Sequence, residues 1–429
     1  INAGTADVSI TAGGSLIDTD AIDSTNSDVD IVSSKLLLDV SGTIGSSTNH
    51  IETTVETLSA KAGAGLFISE TNGLNIDSVT VDVNGVNIDA TTTSTTNSAQ
   101  ENLVSTDKLV LVTNTGDIDV TNGAIVSSNG DTLIKATSGA ITLSSALNVG
   151  TGNLSVIANT LFTQDGNITA QGTIDVLAAT ITMGAVNTNA TNANVRYEST
   201  NALTLGEITT SGDVSIKADS IVDINGDTNN ISADELRLEV TNGTGNASNH
   251  IETNVSELSS NGGSLFISEA DSITINETST ISVQRVDSTT GLTVTTDSVQ
   301  SNIVSSGDVV ITTVNGSITT AVTNGSITAT GNILLSSNDT DNDDTFSITL
   351  NSDVVSSSGN ISINSDYDLV QNGDITVSTA GKTVDIFVSN DITMTDGTVT
   401  TSNDGNIRLK GADIKLSSLN AGTSNVSLF

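Results

Sequence analysis

The chain has 429 residues, is strongly acidic and lacks the bulky residues that usually anchor a compact core. It carries 50 Asp and Glu against 12 Lys and Arg, a formal charge of −38, and aromatic residues make up only 2% of it. Such a charge repels nucleic acids and anionic lipid surfaces. No stretch is long and apolar enough to span a membrane, so we predict neither nucleic-acid binding nor membrane insertion. The absence of Cys excludes disulfides and thiol chemistry.

The apolar residues are distributed as in a protein made of many short strands. They make up 35% of the chain, and most are Val, Ile, Leu and Ala in short runs between Ser, Thr, Asn, Asp and Gly. Apolar residues that alternate with polar ones, many of them β-branched, are typical of half-buried strands. High charge and few aromatics would also suit a disordered chain, but the regular alternation favours a folded all-β protein.

The chain opens on a strand pattern that returns later in the sequence. The run Asp7–Ala12 alternates apolar and polar residues, and it recurs at 213–218 and more loosely at 406–411. We therefore predict one continuous solenoid built from long repeats. The predicted repeats are 1–210, 211–404 and 405–429, the last being the start of a third. Because the pattern begins and ends inside a repeat, we expect the chain to be a piece of a longer one.

A shorter phrase recurs inside each repeat: a glycine, a small or acidic residue, and then an apolar, polar, apolar alternation. Glycine supplies the backbone freedom of a tight turn, and the alternating residues then enter a strand. Examples begin at Gly116, Gly152, Gly172, Gly212, Gly307, Gly359 and Gly373. Each phrase therefore predicts a turn followed by a strand.

These phrases are compatible with two arrangements. Asn-Gly pairs at 122–123, 315–316 and 324–325 are hairpin signals and would suit an array of sandwiches. The absence of Pro and of linkers, and the small aliphatic residues that can stack on copies of themselves, favour the successive sides of a coil. We predict an all-β parallel β-helix (β-solenoid) of roughly 18–20 coils, with about 20–25 residues in each coil.

The stretch Asn49–Glu70 is the clearest sign of duplication, because most of it returns at 249–269. Ile51, Val55 and Leu58 are spaced i, i+4 and i+7 after a capping-box-like start, which would suit a short helix. The β-branched threonines around them favour a strand instead. We predict strands joined by a corner, with these three side chains and their equivalents in the core.

His50 and His250 occupy equivalent positions in the two repeats and are the only histidines. A zinc site or a catalytic triad needs further ligands or partners, and the nearby sequence offers none. Nucleotide-binding, metalloprotease and serine-hydrolase motifs are also missing. We predict that both histidines are corner residues bonded to backbone, and we assign no catalytic or cofactor-binding residue.

One acidic cluster alternates as the early ligands of a calcium loop do. It contains Asp339, Asp341, Asp343 and Asp344. The cluster lacks the glycine and distal glutamate of the helical calcium hand, and the chain lacks the nonapeptides of calcium β-rolls. A solvated insertion loop is the favoured interpretation, and calcium is the only cofactor left open. A looser stretch with the same interpretation comprises Asp18, Asp20 and Asp23.

Many parallel β-helices are polysaccharide lyases or hydrolases, whose sites combine carboxylates with basic residues on one face. Carboxylates are plentiful here, but the arginines are scattered along the chain and aromatic platforms for sugars are scarce. The residues concerned are Arg196, Arg237, Arg285, Arg408, Tyr197 and Tyr367. We therefore predict that the chain is not an enzyme, with polysaccharide processing as a minor alternative.

Several runs resemble the repeats of giant secreted bacterial surface proteins related to filamentous haemagglutinin. They are 212–219, 225–231, 236–245 and 249–253. The likeness extends over nearly the whole chain and lies in composition and rhythm. It implies a right-handed parallel β-helix, export to the cell surface, and use as an adhesin, stalk or matrix fibre. The family's amino-terminal secretion domain is not in this sequence, which leaves the export route open.

Two non-enzymatic functions follow from this resemblance. In the first, the chain is the structural shaft of an extracellular adhesin or surface fibre. In the second, it is a self-assembling subunit of an extracellular filament, sheath or surface layer. Both imply a secreted protein at the cell surface, with neighbouring copies of the chain as partners. Host-cell or matrix glycans are further candidate partners.

Overall fold

The computed structural model describes residues 1–19, 28–340 and 346–429. Within these residues the regular elements are β-strands without a helix, and they form a parallel β-solenoid of about 18 turns. The predicted all-β class, the solenoid and the number of coils are therefore confirmed.

The solenoid strands before residue 200 are Val8–Ala12, Ile31–Val40, Ile51–Ala62, Leu66–Glu70, Leu74–Ile76, Leu103–Ser105, Leu109–Thr113, Ile118–Val120, Ile125–Ser127, Thr132–Ala136, Ile141–Leu143, Leu147–Val149, Leu154–Ala158, Leu161–Gln164, Ile168–Ala170, Ile174–Ala178, Thr180–Met183, Asn187–Ala190 and Val195–Ser199. Those after it are Leu203–Leu205, Glu207–Thr210, Val214–Asp223, Ile231–Thr244, Ile251–Glu269, Ile273–Ile275, Ile303–Ser305, Val309–Thr313, Ile318–Thr320, Ile327–Ala329, Ile333–Ser337, Ile348–Leu350, Val354–Ser356, Ile361–Ser365, Leu369–Gln371, Ile375–Val377, Val384–Val388, Ile392–Met394, Val399–Ser402, Ile407–Lys410, Ile414–Lys415, Ser418–Asn420 and Val426–Leu428.

The chain divides into two compact units. The first unit consists of Ile1–Ser199 and Ser282–Thr295, and the second of Thr200–Ile281 and Thr296–Phe429. Residues 282–295 therefore pack with the first unit although they belong to the second repeat of the sequence. The predicted repeat boundaries at 210 and 404 are a different property of the chain and remain a prediction.

Over much of each unit three strands make one turn, because a strand pairs in parallel with the third strand after it. In the first unit, Leu109 lies beside Thr132, Thr132 beside Leu154, and Leu154 beside Ile174, at separations of 23, 22 and 20 residues. In the second unit the successive steps from Val309 are 24, 28 and 23 residues. Most of these coils have the predicted length. The ladder stays in register while the corners absorb the variation.

Columns of aliphatic side chains fill the inside of the solenoid. Ile118, Ile141, Phe162 and Ile181 occupy adjacent positions in successive turns, and all four are fully buried. Burial of apolar surface contributes about 25 cal/mol per Å², and each turn makes these contacts with its two neighbours. The stability of the stack therefore comes from many similar small layers rather than from one large core.

The duplicated segment forms strands, as predicted, and not a helix. Its strands are Ile51–Ala62 in the first repeat and the longer Ile251–Glu269 in the second. Ile51, Val55 and Leu58 are at most 2% exposed, and so are their equivalents in the second repeat. The alternation of Thr with apolar residues therefore predicted the local structure correctly, and the helical spacing of the apolar residues did not.

Glycine is needed where a corner passes close to the turn before it. A Cβ atom at Gly123 would lie 1.7 Å from the carbonyl oxygen of Glu101, and one at Gly316 would lie 2.0 Å from that of Asp271. Both glycines belong to Asn-Gly pairs that signal hairpins. In the structure they form corners between strands that pair in parallel with other turns, so the hairpin alternative is wrong at these positions.

Two antiparallel hairpins stand apart from the large sheet. The first hairpin consists of Asp82–Val86 and Thr92–Thr96, and the second of Ile281–Val286 and Leu292–Asp297. Their tips have the same geometry, since Ala90 (φ 62°) and Thr290 (φ 61°) are the left-handed residues. Aligning the tips relates the two hairpins by an offset of 200 residues, which the sequence alone did not lead us to predict.

Candidate functional site

Three carboxylates lie together near the start of the duplicated segment. Oxygen atoms of Asp18, Asp30 and Glu52 are all within 4.8 Å of one another. The Glu52 backbone N–H donates to Asp30 Oδ2 at 3.0 Å, and the Asn49 side-chain amide donates to the Asp18 carboxylate. Burial raises the pKa of Asp30, and the charge of Asp18 adds to this effect. Such a cluster offers oxygen ligands to a divalent cation, but fewer than the six to eight that calcium takes.

The second repeat carries a modified copy of this cluster. Asn230 stands where Asp30 stands in the first repeat, and its side-chain oxygen accepts the Glu252 backbone N–H at 2.9 Å. Asp223 accepts from the Asn249 amide at 2.8 Å, as Asp18 does from Asn49. Burial, with the charge of Asp223, raises the pKa of Glu252 to about 7. The exchange of a carboxylate for an amide lowers the charge available to a cation in this copy.

The calcium loop predicted from sequence is only partly within the described residues. Asp341, Asp343 and Asp344 lie outside them, as do Asp20 and Asp23 of the second acidic stretch. Asp339 is buried, and its backbone N–H donates to Asp366 Oδ2 at 3.1 Å. Calcium binding at this loop stays a prediction.

The two histidines differ in their surroundings although they are equivalent in sequence. His50 is buried, its Nε2 atom lies 2.9 Å from the Ser288 carbonyl oxygen, and its ring is stacked on Phe67 with centroids 6.1 Å apart. His250 lies 5.8 Å from the Phe266 ring and is half-buried, and burial lowers its pKa. For His50, the backbone contact matches the predicted structural role.

The arginines are less scattered in space than in sequence. Asp175 is fully buried and receives both Arg285 Nε at 2.6 Å and Arg196 Nη1 at 3.3 Å. Arg196 Nη2 also donates to Glu198 at 2.6 Å. The remaining two arginines likewise bind carboxylates: Arg408 binds Asp385 through Nε at 2.7 Å and Nη2 at 2.5 Å, and Arg237 binds Glu239 at 2.9 Å. Arg196 and Arg285, which are far apart in the sequence, therefore meet at Asp175, because the second hairpin brings Arg285 to a strand 110 residues earlier in the chain.

A cleft of about 580 Å³ lies beside His50 in the first unit. Its lining includes Asp28, Glu52, Asn114, Lys135 and Ser288. Carboxylates outnumber cations here, so the cleft suits a neutral or cationic ligand better than an acidic polysaccharide. Neither Tyr197 nor Tyr367 lines the cleft.

Tyr197 lies in the core and not on a sugar-binding surface. Its hydroxyl donates to Gln164 Oε1 at 3.0 Å and lies 2.7 Å from Thr188 Oγ1, and all three residues are fully buried. Burial raises the pKa of Tyr197. A satisfied buried network of this kind stabilises one arrangement of the core.

One fully buried carboxylate occurs at the end of the duplicated segment in each repeat. Glu70 accepts hydrogen bonds from Thr53 Oγ1 at 2.6 Å and from the Val55 N–H at 3.1 Å. Glu269 accepts from Thr253 Oγ1 at 2.7 Å. Burial raises the pKa of each glutamate to about 7. Sequence analysis missed both, although their identical position in the duplication was a usable signal.

Comparisons with known proteins found no match. No family model matches it, and no curated protein or solved structure does either. In the part of the chain that the structure describes, we find no helix that could cross a membrane.

Proposed function

We propose that the chain is a non-enzymatic structural shaft of an extracellular bacterial adhesin or surface fibre, similar to proteins related to filamentous haemagglutinin. The parallel solenoid of about 18 turns carries the proposal. Such a stack is stabilised turn by turn and does not depend on one large core. It therefore suits a protein segment that provides length and does not depend on one binding or catalytic site.

The pairing of the basic residues supports a structural role. Each of the four arginines binds at least one carboxylate, including the buried pair of Arg196 and Asp175. An enzyme acting on acidic polysaccharides would need cations directed at the substrate. Here the guanidinium groups neutralise carboxylates of the chain itself.

Immunogold labelling of unpermeabilised cells with antibodies against the chain tests this proposal. We expect labelling of the outer surface, with antibodies against a cytosolic protein as the negative control. Labelling that appears only after permeabilisation would contradict an extracellular shaft. Release of sugars from polysaccharides by the purified chain would instead support the enzymatic alternative.

A self-assembling subunit of a filament, sheath or surface layer is the second candidate. It is favoured by the first hairpin, on which Val83, Val86 and Ile88 are 56%, 75% and 108% exposed. Exposed apolar residues grouped on one element are typical of interaction surfaces. Electron microscopy of material extracted from the native surface separates the candidates, since a shaft gives isolated rods and a subunit gives regular polymers.

A further inference from the structure

In the first unit, the second hairpin covers a face of the solenoid. Val286 is 1% exposed and packs in one cluster with Phe67, Val110 and Leu133. These three side chains alternate with core residues along their strands and therefore belong to the outer face. Without the hairpin, an apolar patch would be open to water.

The hairpin is also fixed by hydrogen bonds between its backbone and side chains of the solenoid. The Val286 N–H donates to Ser155 Oγ at 2.9 Å, and the Gln284 N–H donates to Thr173 Oγ1 at 2.8 Å. The Asn194 side-chain amide donates to the carbonyl oxygen of Ser282 at 3.2 Å. Because these bonds engage backbone atoms, a hairpin with other side chains can make them. We call the six solenoid residues in these contacts the docking face: Phe67, Val110, Leu133, Ser155, Thr173 and Asn194.

The second unit carries a copy of the docking face. Following the strand register, the equivalent residues are Phe266, Val310, Leu334, Ser362, Thr383 and Asn406. Five of the six are half-buried and Asn406 is exposed, whereas the cluster of the first unit is buried. We call this set the second-unit face.

Local hydrogen bonds confirm the equivalence. Thr383 Oγ1 donates to Asn360 Oδ1 at 3.2 Å, as Thr173 Oγ1 does to Asn153 Oδ1 at 2.9 Å. Asp385 binds Arg408 as Asp175 binds Arg196, but the Asp385 side chain is 37% exposed where that of Asp175 is fully buried. A cavity of about 330 Å³ lies here, lined by Thr383, Asp385, Asn406 and Arg408 among others. The anchoring groups are therefore present and accessible in the second-unit face.

The first hairpin has the complementary surface. Val83 and Val86 are 56% and 75% exposed, while the equivalent Val283 and Val286 are each 1% exposed. The Asn87 N–H bonds to the Thr91 carbonyl, so antiparallel alternation directs the N–H groups of Val86 and Asn84 away from the other strand of the hairpin. In the second hairpin, the equivalent N–H groups of Val286 and Gln284 donate to Ser155 and Thr173.

We propose that the first hairpin of one copy of the chain docks on the second-unit face of another copy. The first hairpin and the second-unit face are both accessible, and they are equivalent to the two partners of the contact in the first unit. A second copy can therefore supply the face. The contact joins two different surfaces, so it is heterologous and links copies head to tail. The proposal rests on the filament form of the proposed function and names its interface.

The proposed contact between copies differs from the contact within the first unit at two positions, and these differences determine how strong it is. Arg285, which binds Asp175, is replaced by Gly85 in the first hairpin, and Ile157 beside the apolar cluster is replaced by Asn364 in the second unit. The contact between copies therefore lacks one ion pair and some apolar area. Because each copy carries a charge of −38, we expect association to strengthen as salt screens repulsion.

Sedimentation velocity of the purified 429-residue chain over a concentration series tests the proposal. We expect the wild-type chain to form oligomers that grow with concentration, and Val86→Asp to weaken association at least about tenfold, since it would bury a carboxylate without a partner. Thr93→Asp is the matched control, because the equivalent Thr293 stays exposed in the docked hairpin. Circular dichroism shows whether both variants keep the wild-type fold, as expected for exposed sites.

Mixing experiments identify the two surfaces. The Leu334→Asp variant should lose the second-unit face and keep the hairpin, whereas the Val86→Asp variant should lose the hairpin contact and keep the face. Neither variant should therefore polymerise alone. A mixture of the two should form dimers and no longer species, because only one functional pair of surfaces remains. Gly85→Arg should strengthen association about tenfold by restoring the charge-assisted bond, now to Asp385.

Three results of these association experiments would overturn the proposal. They are a wild-type chain that stays monomeric at all concentrations in ~0.15 M NaCl, oligomers unaffected by Val86→Asp, and a mixture of the two variants that gives no dimer. Protection of the first hairpin from proteases within a monomer would indicate an occupant from the same chain and would also overturn it. A monomeric chain that is nevertheless found on the cell surface would leave the shaft proposal standing.

Discussion

Glu70 and Glu269 should make the stability of both units depend on pH. Each is fully buried, and burial raises the pKa of each to about 7 from the ordinary value of 4.5. Hydrogen bonds from Thr53 and Val55 favour the charged form of Glu70 and oppose the effect of burial without cancelling it. A change of pH across this interval, with and without the two carboxyl groups, tests this dependence.

The sign follows from where the protons are bound. Between pH 4.5 and about 7 the unfolded chain has lost the proton from each glutamate while the folded chain keeps it. This contribution to stability is fully present below pH 4.5, decreases as the pH rises, and is lost above about 7. The difference between the two pKa values corresponds to about 3 kcal/mol for each glutamate.

Urea unfolding followed by circular dichroism at the two ends of this interval measures the effect. Glu70 and Glu269 should make the wild-type chain less stable at the upper end, by about 3 kcal/mol for each glutamate. In the double variant Glu70→Gln, Glu269→Gln this part of the decrease should disappear, because an amide does not ionise. Glu56→Gln is the matched control, since Glu56 is exposed and its removal should leave the wild-type decrease unchanged.

The comparison between variants separates burial from general repulsion. Repulsion among the carboxylates also grows with pH, but it is nearly the same in all three proteins. A double variant that keeps the full wild-type decrease would refute the reasoning.

Further expectations concern the core, the corners and the surface charge. Leu58→Asp should destabilise the chain by about 4 kcal/mol or more, because Leu58 is fully buried, while Thr57→Asp should have a small effect in the same urea titration. Gly123→Ala should lower the midpoint of thermal unfolding, because its Cβ would meet a backbone oxygen, while Gly13→Ala, with nothing within 4 Å, should not. Sodium chloride should raise the thermal midpoint by screening the charge of −38. Calcium at matched ionic strength should raise it further only if the acidic stretch around Asp339 forms a site, and equal midpoints in the two salts would exclude that site.

The fold was predictable because its determinants are local and repeated. Alternation of apolar residues assigns Ile51, Val55 and Leu58 to the core without knowledge of any distant contact. Glycine-led phrases give the corners and the number of coils. At Gly123 the turn signal was ambiguous, because an Asn-Gly pair suits both a hairpin and a corner that lies close to the previous turn.

The surface contacts could not be predicted, because they join residues far apart in sequence and are not periodic. Arg285 and Asp175 are 110 residues apart, and the carboxylates of Asp18 and Glu52 meet only when successive turns are stacked. The duplication still held a clue. Val86 and Val286 are identical residues at equivalent positions, but only the structure reveals that one is exposed and the other buried.

The parallel register also means that the length of this protein can change in whole turns. Thr132 lies beside Leu154, and Leu154 beside Ile174, each through equivalent backbone atoms. A deletion of residues 154–173 would join Asn153 to Ile174 and place Ile174 beside Thr132, with the ladder unbroken. Unequal recombination between the two gene segments that encode the repeats would add or remove material in the same register. Variation in the number of turns is therefore compatible with an unchanged fold.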